Sequence, residues 1–327
     1  MNMNIKYGSL CSGIEAATVA WDDLGWQPQF FSDIEKFPNA VLDHHYPNVP
    51  NYGDMTNFGD WPDESINLLV GGTPCQSFSV AGLRGGLDDP RGNLALTYLA
   101  IAERYAPRWI VWENVPGVLS SRGGRDFGSF LGALGKLGYG FAYRVLDAQF
   151  FGVAQRRRRV FVVGYLGDWR RAAAVLFESE SRRRDTAPSR EKKCGASKGI
   201  AERSSKDIWP KEVACTLDTS YGSHYGQNNQ HINNGAPLFV ASYSDTLSAH
   251  GGHRNEVSTI RSQTVTYING VRRLTPKEFE RLQGFPDGYT DIYEKTPDGA
   301  RYKALGNSMA VPVMKWIGNR IDQIDKL

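Results

Sequence analysis

Short apolar runs that end at a polar or glycine residue alternate with helix-like stretches over residues 1–167. The runs lie at residues 6–10, 29–32, 66–71, 109–113 and 160–164. Each run has the length of one buried strand, and each intervening stretch can form a crossover helix, so the alternation predicts repeated strand–helix–strand units. We therefore expect an α/β fold built on a parallel sheet.

Three side chains capable of chemistry follow or end these predicted strands. They are Asp33, Cys75 and Glu113. The carboxyl ends of parallel strands meet at one edge of a sheet, and open α/β sheets bind their ligands there. The sequence thus predicts a site at this edge.

The composition is that of a globular protein, with 41% hydrophobic and 22% charged residues. No segment approaches the roughly 20 apolar residues of a membrane span, and the first ten residues lack the pattern of a secretory signal. A cytoplasmic location and no membrane partner are expected. The four cysteines, Cys11, Cys75, Cys194 and Cys215, form no CxxC pair, so neither a disulfide framework nor a metal site is expected.

The residue composition and the secondary-structure pattern both change at about residue 168. From residue 168 onward, arginine, glycine, serine and asparagine replace the strand–helix pattern, and basic residues outnumber acidic ones between 170 and 211 although the net charge is only +3. We expect a catalytic and cofactor-binding domain at 1–167 and a smaller, loop-rich domain at 168–293. The apolar periodicity after Tyr302 predicts a helix in a last segment, 294–327, that packs back on the first domain.

Three motifs could carry the chemistry, and each also has a simpler interpretation in which it has no function. Pro74-Cys75-Gln76 places a thiol after a buried strand; an isolated cysteine is more often inert, but the glycine-rich, charged loop at 77–92 favours a reactive one. The segment at 112–116 ends a strand with Glu113, which alone could be a solvated carboxylate. The arginine run at 156–159 could be a solvated basic segment.

In this order the motifs resemble those of the cytosine-5 DNA methyltransferase family: Pro-Cys-Gln, Glu-Asn-Val at 113–115 and Gln-x-Arg-x-Arg at 155–159. Residues 273–278 and 281–286 are similar to the family's ninth motif, and 306–308 to its tenth. The resemblance implies a Rossmann-like S-adenosylmethionine-dependent domain and, in the loop-rich part, a target recognition domain.

By this resemblance the Cys75 thiolate attacks carbon 6 of cytosine, because carbon 5 is a poor nucleophile until that adduct forms. Glu113 would engage ring N3 and the exocyclic amine, Arg157 would contact O2, and Arg159 and Asn114 would support the site. The base must leave the duplex, at a cost of roughly a few kcal/mol.

The resemblance also implies a cofactor pocket. Cys11 and Glu15 stand where the family has an aromatic residue and a second glycine, whereas Gly13 matches. Asp33 would bind the ribose hydroxyls, as an acid does in dinucleotide folds. The cofactor-binding residues expected are Cys11, Ser12, Gly13, Ile14, Glu15, Asp33, Ile34, Asp54, Met55, Pro74, Leu94, Asn307 and Ser308.

Double-stranded DNA is the expected partner. The residues expected to contact it are Gln76, Ser79 and Arg91 in the first domain, and Thr246, Leu247, His250, Gly251 and Gly252 in a glycine-rich recognition loop. The basic run at 182–184 could hold phosphates or be a solvated linker. A monomer is the simplest assembly, and a cognate restriction endonuclease would fit a restriction-modification system.

Three alternatives stay open on the sequence. A catalytically silent DNA-binding relative would keep the motifs but lose the cofactor through the departures at Cys11 and Glu15. A nicotinamide oxidoreductase needs a full Gly-x-Gly-x-x-Gly turn, which is missing after the first strand. A tRNA-directed member of the family would share the chemistry and differ in substrate.

Overall fold

The computed structural model describes residues 4–74, 94–177, 238–240, 264–267 and 270–327. Within this part, six strands form the main sheet in the order β2-β1-β3-β4-β6-β5. Their bounds are β1 Lys6–Leu10, β2 Gln27–Ser32, β3 Leu68–Gly71, β4 Trp109–Asn114, β5 Tyr139–Asp147 and β6 Arg158–Leu166. The expected α/β architecture is confirmed.

The direction of β6 differs from the sequence-based prediction. β1 to β4 run parallel, but β6 is antiparallel to both β4 and β5. The cause is the short connection at 148–157, since a parallel neighbour would need a longer crossover. The start of β6 therefore lies at the same edge as the carboxyl ends of β1 to β4, which brings the arginine run to that edge.

Helices cover both faces of the sheet. Their bounds are α1 Ala16–Trp21, α2 Lys36–His45, α3 Leu94–Tyr105, α4 Arg125–Lys136, α5 Trp169–Leu176, α6 Pro276–Gln283, α7 Asp298–Asn307 and α8 Val311–Asp325. One apolar cluster packs α1, α5 and α8 on one face, and a second packs α3 and α4 on the other. Neighbouring strand residues alternate between them, as Leu69 and Val70 do. None of the helices in the described ranges could cross a membrane.

The last helix packs against the first. The Trp21 Nε1 atom donates to the Met314 carbonyl over 2.9 Å, and the backbone of Gly318 lies directly against the same indole. Trp109 Nε1 donates to Asp325 near the end of α8 over 2.8 Å. The periodicity that predicted a helix here reflects its apolar side, where Ile317 is fully buried.

Part of a second sheet lies in the region expected to recognise the target. β7 Leu238–Val240 pairs parallel with β8 Thr264–Tyr267, and β8 pairs antiparallel with β9 Gly270–Arg273. The segment after β9 contacts the loop that follows β1, since the Tyr289 hydroxyl donates to the Ile14 carbonyl over 2.9 Å. The domain boundaries at 167 and 293 stay a prediction.

Candidate active site

A cleft of about 680 Å³ opens at the carboxyl edge of β1 to β4. It brings together most residues expected from the sequence: Cys11, Ser12, Gly13, Glu15, Asp33, Ile34, Asp54, Met55, Pro74, Leu94, Glu113, Asn114, Arg157, Arg159, Asn307 and Ser308. Ile14 is placed elsewhere. Its side chain is fully buried in the core, and its carbonyl accepts from Tyr289.

The loop after β1 is held against the end of β2. The Ser12 hydroxyl donates to the Ser9 carbonyl over 2.9 Å and accepts from the Ser32 amide over 3.0 Å. The Gly13 amide donates to Asp33 Oδ2 over 2.8 Å. The loop is thus shaped before any ligand arrives.

Two residues of this loop adopt left-handed backbone conformations. Cys11 has φ 49° and Glu15 has φ 62°. Glycine adopts this region freely, whereas other residues pay roughly 1–2 kcal/mol. At Glu15 the chain therefore keeps the backbone shape that the family's second glycine would allow.

The Glu15 carboxyl turns into the protein. Oε1 accepts from the Ser9 hydroxyl over 2.7 Å, and Oε2 accepts from the Thr18 hydroxyl over 2.9 Å. The Thr18 oxygen also lies 2.7 Å from the Tyr7 hydroxyl. Burial raises the pKa of the Glu15 carboxyl to about 7, although both hydroxyl contacts lower it.

Asp33 is positioned by backbone groups on both sides. Its Oδ1 accepts from the Glu35 amide over 2.8 Å, and burial raises its pKa. Asn51, which the sequence analysis did not single out, accepts through Oδ1 from the amides of Asp33 and Gly53. A lone asparagine two residues before a glycine gave no signal of this role.

Asp54, Met55 and Ile34 occupy different depths of the cleft. Asp54 caps the following turn by accepting from the Thr56 amide over 2.9 Å. Met55 is buried, whereas Ile34 is 70% exposed at the rim. The two apolar residues therefore stand at the floor and the edge of the space where a ring would lie.

Cys11 does not have the properties of a nucleophile. Its thiol lies 3.6 Å from the Met55 sulfur, and burial together with Asp33 and Asp54 raises its pKa to about 12. Because the thiolate is the reactive form, this thiol is inert near neutral pH.

Glu113, the penultimate residue of β4, lies at the other half of the cleft. Its Oε1 lies 3.1 Å from Arg159 Nε, with both side chains largely buried. Gly72 lies directly beside it, since a Cβ atom there would stand 3.1 Å from Oε2. A side chain at position 72 would require this carboxylate to shift by a few tenths of an ångström.

Asn114 fixes the tip of β3. Its Nδ2 donates to the Thr73 carbonyl over 2.8 Å, and its Oδ1 accepts from the Val115 amide over 2.9 Å. Trp112 Nε1 donates to the Thr73 hydroxyl over 3.1 Å. These bonds set the direction of the chain at Pro74, immediately before Cys75.

Arg157 joins β6 to the end of α7. Its terminal nitrogens donate to the carbonyls of Gly306 and Ser308 over 3.2 and 2.6 Å. Burial lowers the pKa of this guanidinium to about 9, and Arg159 lowers it as well. Gln283 Nε2 donates to the Leu305 carbonyl of the same turn. The segment at 281–286 was recognised in the sequence, but nothing in it indicated this contact.

The remaining expected residues lie outside the described ranges. They are Cys75, Gln76, Ser79, Arg91, Thr246, Leu247, His250, Gly251 and Gly252.

A family model and two similar proteins relate this chain to DNA methyltransferases. A model of the family described as C-5 cytosine-specific DNA methylase matches residues 5–323. Type II methyltransferase M.NgoBI of Neisseria gonorrhoeae is 30% identical, over 94% of this chain and 89% of the relative. Type II methyltransferase M.HpaII of Haemophilus parainfluenzae is also 30% identical, over 95% and 87%.

A further relative is named DNA N-6-adenine-methyltransferase, from Escherichia phage P1. It is 37% identical over 458 aligned positions, which include 96% of this chain. The chain spans 61% of that relative's length. This name differs from the cytosine-5 description of the family.

Solved structures support the fold. The Dnmt2 methyltransferase of Schizosaccharomyces pombe superposes with a TM-score of 0.62 at 16% identity, covering 99% of each chain. The Entamoeba histolytica methyltransferase EhMeth gives 0.58 at 16% identity, covering 98% of each.

Proposed function

The chain belongs to the C-5 cytosine-specific DNA methylase family, and on that premise we propose that Cys75 is its covalent nucleophile. The family makes it a DNA cytosine-5 methyltransferase with S-adenosylmethionine as cofactor. The observation that carries the mechanism is the single cleft, in which the loop around Gly13 and the pair Glu113–Arg159 share one space.

The cofactor half of the cleft suits S-adenosylmethionine. The volume of the whole cleft lies within the roughly 300–1,000 Å³ of small-molecule sites. We assign the ribose to Asp33, the adenine to the space between Ile34 and Met55, and the amino-acid end to the loop at 11–13 and to Asn307 and Ser308. The bound cofactor supplies an activated methyl group.

In the reaction, Cys75 forms a bond to carbon 6 of the extruded cytosine, which makes carbon 5 nucleophilic. Glu113 stabilises the charge that develops on N3 and the exocyclic amine. Methyl transfer to carbon 5 is followed by loss of its proton and expulsion of the thiolate. Pro74, which immediately precedes the nucleophile, follows a residue that Asn114 holds by a hydrogen bond to the Thr73 carbonyl.

We assign the contact to the base's O2 to Arg159 and the supporting role to Arg157, the reverse of the expectation from the sequence. The Arg157 guanidinium is buried and donates to two carbonyls of the α7 end. Arg159 instead lies beside Glu113, where a base held by that carboxylate would come within its reach.

DNA contacts by Gln76, Ser79 and Arg91, and target reading by Thr246, Leu247, His250, Gly251 and Gly252, are part of the same proposal. So are a monomeric state, action in the cytoplasm and a cognate restriction endonuclease. The support for the last is the resemblance to Type II methyltransferases.

The phage relative's name raises a second candidate, methylation of the N6 amine of adenine. An amine can attack the methyl group directly and needs no covalent thiol. The two reactions are therefore separable by product and by dependence on Cys75.

The test is incubation of the protein with DNA and isotopically labelled S-adenosylmethionine, followed by digestion and mass analysis of the nucleosides. We expect labelled 5-methylcytosine with the wild type and with Cys194→Ala, and none with Cys75→Ala. DNA carrying 5-fluorocytosine should trap the wild type covalently. Release of the enzyme requires removal of a proton from carbon 5, and a fluorine atom at that carbon cannot be removed as a cation. Labelled N6-methyladenine, or a fully active Cys75→Ala variant, would overturn the proposal.

A further inference from the structure

Glu15 is held in the cleft wall in an unusual state. It takes a backbone conformation natural to glycine, and its carboxyl is almost completely buried. Both oxygens are hydrogen-bonded by neutral groups, namely the hydroxyls of Ser9 and Thr18 and the Thr18 backbone. No cationic side chain among the described residues pairs with it. Glu15 is thus a strained and buried carboxyl group with no cationic partner among the described residues.

The cleft that Glu15 lines carries acids (Asp33, Glu35, Asp54 and Glu113) and two arginines (Arg157 and Arg159). Among these charged groups, Asp33 is the one that acts on Glu15. Asp33 and burial both disfavour the charged form of Glu15. A positively charged ligand in the cleft would relieve this repulsion, since opposite charges favour the ionised form of each carboxyl.

We propose that Glu15 is a positioning residue whose negative charge selects the positively charged sulfonium of S-adenosylmethionine over the neutral thioether of the product, S-adenosylhomocysteine. The inference rests on the proposed placement of the cofactor in this cleft. Because its oxygens are already engaged by Ser9 and Thr18, Glu15 acts through its field and not by direct contact. Selection of this kind limits inhibition by product.

The two ligands form a controlled comparison. They differ by one methyl group and one positive charge, so every other contact cancels in the ratio of their affinities. A unit charge acting over about 10 Å at an effective dielectric constant of about 20 changes an equilibrium roughly tenfold. We therefore expect Glu15 to contribute about tenfold to that ratio.

The ionisation of Glu15 makes this contribution depend on pH. Burial raises its pKa to about 7, so the charge forms as the pH rises through neutrality. The other titratable groups that face it are Asp33, Tyr7, Tyr46 and Tyr289. Burial raises the pKa of each tyrosine above its ordinary value, so they stay neutral up to pH 9.

The experiment is calorimetric titration of the wild type and Glu15→Gln with each ligand between pH 6 and pH 8.5. In the wild type, the preference for S-adenosylmethionine should increase about tenfold across this range. Glu15→Gln, which keeps the shape, should show a low preference at every pH. Glu35→Gln is the matched control, because Glu35 lines the same cleft but already pairs with Lys303 at 2.7 Å.

Equal weakening of both ligands in Glu15→Gln, with the pH dependence of the ratio intact, would overturn the inference and leave the proposed function standing. If this variant fails to fold, Glu15→Gly serves, since glycine suits the backbone there. A wild type that binds neither ligand would overturn the proposed function and this inference with it.

Discussion

Arg159 Nε lies 3.1 Å from Glu113 Oε1, and each side chain is only about a tenth exposed. β4 supplies the acid and the antiparallel strand β6 supplies the arginine, so the pair depends on the reversal of that strand. The ion pair fixes the carboxylate and the guanidinium relative to each other. The proposed contacts of both groups to one cytosine ring require this arrangement.

Replacing Arg159 should impair the chemical step. We expect Arg159→Lys to lower kcat about 100-fold, because lysine lacks the planar fork that can hold Glu113 and the base together. The dissociation constant for S-adenosylmethionine should be unchanged. Single-turnover kinetics give the first quantity and calorimetry the second. Arg158→Lys, at the exposed neighbouring position, is the control; a similar loss there would contradict the assignment.

Replacing Arg157 should cost stability. Arg157→Met would leave the buried carbonyls of Gly306 and Ser308 without these donors, and we expect the free energy of unfolding to fall by about 2–3 kcal/mol. Urea denaturation measures it. A variant as stable as the wild type, but without activity, would instead show that Arg157 contacts the base.

Glu15 should make stability depend on pH. Burial raises the pKa of its carboxyl from 4.5 to about 7, so the folded protein holds a proton that the unfolded chain releases. The free energy of unfolding should therefore fall as the pH rises from about 4.5 to 7, by about 3 kcal/mol. In Glu15→Gln this contribution is absent, so its stability relative to the wild type should grow over that range. The prediction would be contradicted if the difference in free energy of unfolding between Glu15→Gln and the wild type were the same at pH 5 and pH 8.

Two glycines on helices should respond oppositely to alanine. A Cβ atom at Gly318 would lie 2.3 Å from Trp21 Nε1, so Gly318→Ala should cost about 1–3 kcal/mol through overpacking. Gly132, exposed on α4, has no atom within 4 Å of that point, and Gly132→Ala should add about 0.5–1 kcal/mol. Thermal unfolding measures both. Equal changes in the free energy of unfolding would contradict the close contact between Gly318 and Trp21.

The sequence predicted the parts of the fold that depend on local pattern. The runs at 6–10 and 109–113 are strands β1 and β4, because a buried strand must be apolar along its length. β5 was not predicted, and the direction of β6 was wrong, since both follow from how a short connection closes a hairpin. Strand pairing is not encoded in the composition of either strand alone.

The same division holds for the site. Glu113 and Asp33 could be identified because each ends an apolar run. The departures at Cys11 and Glu15 indicated a weakened cofactor loop, yet Glu15 takes the left-handed conformation that the family's second glycine would allow. Ile14 was expected at the cofactor and lies in the core. Contacts such as Gln283 to Leu305 join distant segments and leave no local signal.

The cleft is walled by the loop at 11–15 and by Asn307 and Ser308, which stand near opposite ends of the chain. A ribosome adds about 5–20 residues per second, so the first wall emerges roughly 15–60 s before the last. Glu113 and Arg159 are added during that interval, and until Asn307 and Ser308 follow, the nascent polypeptide has no finished pocket. Incomplete translation products that stop before Asn307 should thus be unable to mark DNA, and the order of synthesis itself confines the activity to chains that include Asn307 and Ser308.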